Sequence, residues 1–126
     1  MAVIAAWALV VLGLGHIAVG IVMFKKPLAG AVRAGFIGQF VGHPDRRGAF
    51  WFMIFGPLLV MGGHLAIHAV NTADTRLLTL IGFHLLAVGM VGSLALPKSP
   101  FWVGLVASSV FIAAGYGWSS DPNAAR

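Results

Sequence analysis

Four stretches of this chain, residues 3–24, 50–70, 77–96 and 101–118, contain no Asp, Glu, Lys or Arg. About 20 apolar residues in a helix span the ~30 Å hydrocarbon core of a bilayer, so each stretch reads as a transmembrane helix. The charged residues lie between the stretches or at the C-terminal end. The first stretch has no basic segment before it and carries its lysines afterwards, which marks it as a retained span rather than a signal peptide. Composition agrees: 60% of the 126 residues are hydrophobic and 9% are charged, where a soluble domain carries about 25% charge. The polar surface is too small to cover a water-soluble globule. The expected fold is therefore all-α: an integral membrane four-helix bundle, forming a single transmembrane domain over residues 1–126.

The basic residues orient it. Lys25, Lys26, Arg33, Arg46, Arg47 and Lys98 fall on one side of alternating helices, and only Arg76 and Arg126 fall on the other. The positive-inside rule makes the first side cytoplasmic and places both termini outside, N-out and C-out, in a bacterial cytoplasmic membrane. The net charge of +5 is thus topological and touches anionic lipid; no nucleic-acid module is present. Trp7, Trp51, Trp102 and Trp118 sit near span ends, as interfacial anchors do. Without cysteine, disulfides, thiolate metal sites and cysteine nucleophiles are excluded.

The connections differ. "NTADTR" (71–76) is a short outer turn that makes the second and third spans antiparallel neighbours, with Asn71 capping the second. "PKSP" (97–100) is a tight inner turn. The cytoplasmic loop 25–48 is long. Within it "LAGAVRAGFIGQF" is expected either to lie on the membrane as an interfacial helix, with Phe36, Ile37 and Phe40 dipping inward, or to be a flexible loop; "GHPDRRG" reads as a turn into the second span. Glycines recur in every span. Because helices in lipid associate by close packing, their expected role is a tight bundle, and homo-oligomerisation is a further expectation. Pro57 is expected to kink the second span.

Four histidines lie inside the spans: His16, His64, His68 and His84. An intramembrane ionisable residue is a functional candidate by default. At a rise of about 1.5 Å per residue, His68 lies about 3 Å from the outer end, His64 and His84 near 10 Å, and His16 near the midplane. His64 and His68, four apart, share a helix face. Three imidazoles are thereby expected to converge in the outer half with His16 below. The bland alternative is that each histidine hydrogen-bonds a neighbouring helix and stitches the bundle. An all-histidine zinc or copper site would bring uncompensated charge into a dry region. Haem suits the set better, since the porphyrin dianion offsets the iron and bundle imidazoles are common axial ligands. The expected arrangement puts His64 or His68 opposite His84, with Arg76 meeting the propionates.

Two other classes compete. An isomerase-like enzyme acting on a small hydrophobic molecule would use a histidine as acid or base, with His68 and Tyr116 as the candidate pair. No paired carboxylate, nucleophile elbow, P-loop or HExxH occurs. A structural or accessory membrane subunit without chemistry of its own is the other reading. A proton-coupled carrier usually needs an intramembrane carboxylate, and the spans hold none.

The segment "AFWFMIFGPLLVMGGHLAI", preceded by "GHPDRRG", resembles a group of small uncharacterised bacterial four-helix membrane proteins, in its aromatic "FWF" entry after a basic turn and the Gly-rich helix that follows. The layout also looks like DoxX-type small membrane proteins. The resemblance implies the fold and no particular activity.

Overall fold

The computed structural model describes residues 1–118, and every regular element among them is helical: α1 (Ala2–Met23), α2 (Lys25–Arg33), α3 (Pro44–Asn71), α4 (Thr75–Ala95) and α5 (Phe101–Gly115). α1, α3 and α4 are long and apolar enough to cross a membrane. α5 is equally apolar but has 15 residues, a length of about 22 Å, and ends before the expected limit at 118.

The helix ends follow local chemistry. At the end of α5, Gly117 turns left-handed at φ 72°, and the amides of Gly117 and Trp118 return to the carbonyls of Ala114 and Ala113. This pair of bonds satisfies carbonyls that a helix end otherwise orphans. α2 stops the same way, with Gly35 at φ 100° and bonds from Gly35 to Val32 and from Phe36 to Ala31. α3 stops likewise, but there the left-handed position is Ala73, at φ 53°. The cap of the outer turn is not Asn71, which is the last helical residue of α3. The capping side chain is Asp74, whose Oδ1 accepts from the Leu77 amide at 2.9 Å and starts α4.

α3 also begins earlier than expected. "PDRRG" is part of the helix itself rather than a turn leading into it, because a proline in the first helical position lacks only an N–H that would have no helical partner. α3 thereby reaches 28 residues, about 42 Å. The 25–48 connection holds a true helix, α2, but it ends at Arg33 and the "AGFIGQF" portion is a series of turns.

The described residues form two compact units, Val11–Met61 and, separately, Met1–Val10 with residues 62–118. Within Val11–Met61, α1 and α3 meet at glycines: a Cβ on Gly13 would stand 2.7 Å from the Gly56 carbonyl oxygen, and one on Gly20 would stand 2.5 Å from Met53 Sδ. Where lipid removes any hydrophobic drive between helices, such close approaches supply the van der Waals contact that holds them. In the other unit, Ala5, Ala6 and Leu9 of α1, Ala66 and Ala69 of α3, Leu78 of α4, and Ala107 and Phe111 of α5 share one buried cluster. There α4 packs along α5. A Cβ on Gly82 would lie 3.0 Å from the Ile112 nitrogen, and one on Gly63 would lie 2.9 Å from the Ala6 carbonyl oxygen. The faces turned away from these contacts are apolar; Trp51, Ile54, Leu58, Met61 and Leu65 of α3 are exposed at helical spacing, as lipid-facing positions are.

Candidate functional site

The four intramembrane histidines divide into two kinds. His16 is half-buried within the Val11–Met61 unit. Its Nε2 donates to the Phe52 carbonyl at 3.0 Å. Its ring stacks on Phe52, with centroids 3.9 Å apart and planes at 15°, and meets Phe55 edge-on at 5.5 Å. The acceptor lies in the turn before Pro57, where the missing proline N–H already leaves the Met53 carbonyl without its helical donor. A helix loosened there can receive a donor from a neighbour. His16 is thus a joint between α1 and α3, as the stitching alternative expects. Phe52 and Phe55 are its partners, which spacing alone did not single out; the signal was the aromatic run just ahead of an in-span proline.

His64, His68 and His84 are of the other kind: all three are exposed. His64 and His68 follow one another on the outward stripe of α3 that also carries Met61 and Leu65, and their rings have no partner among the described residues. His84 lies on the outward side of α4, opposite in rotation to the packed glycines Gly82 and Gly89. Its Nδ1–H donates to the Leu80 carbonyl at 2.8 Å. With the proton held at Nδ1, the lone pair at Nε2 is left for a ligand, the arrangement that metal-ligating histidines use. The expected convergence of three imidazoles is not observed: among the described residues no three His, Cys, Asp or Glu side chains gather as a metal site would require.

The remaining candidates stand apart from any such group. Arg76 is exposed in the first turn of α4. Tyr116 is exposed and stacks on Trp118 with centroids 5.2 Å apart, the posture of paired interfacial anchors. Ser108 and Ser109 return their hydroxyls to the Leu105 carbonyl, whereas the buried Ser93 hydroxyl has no partner among the described residues.

What the arrangement can do chemically follows from this division. It offers imidazole ligands on outward faces, and among the described residues no group of three His, Cys, Asp or Glu side chains that could hold a bare cation. Comparison with known proteins agrees that no activity can be carried over. No curated protein and no solved structure is matched, and no DoxX-type relationship emerges. The sequence model that does match covers residues 2–118, essentially the whole described chain. The chain belongs to the family of unknown function DUF6463.

Proposed function

We propose that the chain is a four-crossing helical bundle of a bacterial cytoplasmic membrane, with both termini outside, that holds an imidazole-ligated cofactor in the outer half of the bilayer. Haem is the cofactor whose charge the site best tolerates. The observation that carries this reading is the His84 ring: Nδ1–H is held by Leu80 O at 2.8 Å, and the ring is exposed with Nε2 available. His64 or His68 supplies the second imidazole. His64 and His68, one turn apart on a single helix, would not both hold the same haem; one of them would act with His84 or with a second copy. Arg76, at the start of α4, suits a propionate.

The test is the visible spectrum of the detergent-purified protein titrated with hemin. A sharpened, shifted Soret band that is lost in His84→Ala and weakened in His64→Ala supports the reading. A spectrum identical to that of hemin in empty micelles overturns it. In that event an enzyme acting on a small hydrophobic molecule and an accessory membrane subunit remain, and His16, engaged in holding α1 to α3, favours the second.

A further inference from the structure

The part of the chain outside the spans carries a surface that the cofactor reading does not use. We infer that residues 25–47 form a preshaped element that seats on anionic phospholipid headgroups, inserting an apolar tip made of Phe36, Ile37 and Val41. This inference rests on the membrane reading above.

Its position follows from length. The 28 residues of α3 measure about 42 Å against a hydrocarbon core of ~30 Å, so about eight residues must stand outside if the helix crosses upright. The N-terminal turn with Asp45, Arg46 and Arg47 is the charged end and is the part left out. The connection that precedes it begins at Lys25, directly after α1. Both attachment points of the element are therefore at headgroup level.

Its surface is of two kinds. Ile37 is 89% exposed, Val41 80%, Val32 64% and Phe36 54%. Apolar side chains on the spans would be covered by acyl chains; these four lie outside the spans and need another cover. In the same segment Lys25, Lys26, Arg33 and Arg47 are exposed, and residues 25–47 hold five basic side chains (with Arg46) against one acidic, Asp45. None of these cations is in an ion pair among the described residues. Exposed apolar side chains in a segment rich in unpaired cations match an anionic bilayer surface on both counts. A second copy of the same element would place cations opposite cations.

The element is also held in shape. Arg46 donates from Nη1 to the backbone and side-chain oxygens of Gln39 at 3.4 and 3.3 Å, and it lies against Gly30 of α2. Phe40 bridges the rings of Phe36 and Phe50, with centroids 5.2 Å from each. Phe36 takes a left-handed backbone, φ 65°, a conformation that costs a bulky residue free energy and persists where its surroundings over-determine it. The tip is presented rather than left to collapse onto the helices.

The absence of cysteine makes the test clean. Ile37→Cys and, as a control on the exposed flank of α1, Leu14→Cys are each labelled with a nitroxide in the full chain. The proteins are reconstituted into bilayers of phosphatidylcholine alone or with added phosphatidylglycerol. Collisions with oxygen report lipid, and collisions with a soluble nickel chelate report water. The expected result is lipid exposure of the Leu14 label in both bilayers, and a move of the Ile37 label from water to lipid when phosphatidylglycerol is present. That move should be lost in K25Q/K26Q/R33Q and, without any substitution, in high salt. A water-exposed Ile37 label beside a lipid-exposed Leu14 label overturns the inference and spares the membrane reading; two water-exposed labels overturn both. Equal burial in the two lipids overturns the anionic preference. Shielding from both quenchers with spin–spin broadening shows a second copy on the tip and overturns the inference.

Discussion

Gly13 and Gly15 lie two residues apart on the same helix, yet alanine at the two positions should change stability in opposite directions. Alanine at Gly13 places a methyl 2.7 Å from the Gly56 carbonyl oxygen and 2.8 Å from the Val60 amide nitrogen. Ordinary contact starts near 3.4 Å, so the shortfall is about 0.7 Å (3.4 − 2.7). Both obstacles are backbone atoms of α3, which cannot rotate away as a side chain would, and the helices must part. Forced overpacking costs about 1–3 kcal/mol. Against it stands the helix preference for alanine over glycine, about 1 kcal/mol at most. The net expectation for Gly13→Ala is a loss of up to about 2 kcal/mol. At Gly15 nothing lies within 4 Å of the added carbon, so only the propensity gain, up to about 1 kcal/mol, remains. Unfolding in mixed micelles with increasing dodecyl sulfate, followed by far-ultraviolet circular dichroism, measures both. If Gly13→Ala proves as stable as Gly15→Ala, the α1–α3 backbone contact is not what holds these helices.

Three further substitutions probe single features by the same assay. Ala73→Gly removes a methyl from a left-handed residue (φ 53°); relief of about 1–2 kcal/mol less the unfolded-state entropy of glycine, about 0.5–1 kcal/mol, leaves a modest gain, and a loss would show that the outer turn is not strained there. His16→Ala should cost about 1–2 kcal/mol, the sum of an interhelical hydrogen bond of about 0.6 kcal/mol and a ring stack of about 0.5–1.5 kcal/mol. His16→Phe should recover the stacking share alone; equal losses in the two variants would refute that division. Ser93→Ala, which deletes a buried hydroxyl with no partner among the described residues, should be neutral or stabilising by about 1 kcal/mol, and a clear loss would reveal an acceptor for it.

Axial position along the helices was legible from the sequence, and rotation about their axes was not. Charge-free runs locate the long helices within a few residues, because a fixed rise per residue ties run length to bilayer thickness. The same arithmetic set His64 and His84 at equal depth. It could not say which way either side chain points, and convergence of three imidazoles needed that azimuth. The missing signal lay in the small residues: Gly63, Ala66 and Ala69 are the buried stripe of α3, and Gly82, Gly89 and Gly92 that of α4. His64 and His68 are off the first stripe and His84 is off the second. The start of α3, six residues before the charge-free run, departs from expectation for a different reason. Pro, Asp and Gly favour turns, and the identical residues favour a helix N-terminus; the choice depends on whether the following residues continue helical, as they do here.

The unequal helix lengths set a constraint on the lipid itself. At about 42 Å for α3 and about 22 Å for α5, the two helices, of 28 and 15 residues, miss a ~30 Å hydrocarbon slab in opposite directions. Tilt and an emergent basic turn absorb the excess of the first. In the four-crossing arrangement proposed above, the deficit of the second is met by thinning the bilayer around it, by drawing the turns at 97–100 and 116–118 below the headgroups, or by association with a second copy, each at a fraction of a kcal/mol per ångström. Membrane thickness thereby becomes a thermodynamic variable of this fold: short acyl chains should favour the native state, and thick, ordered membranes should exclude it.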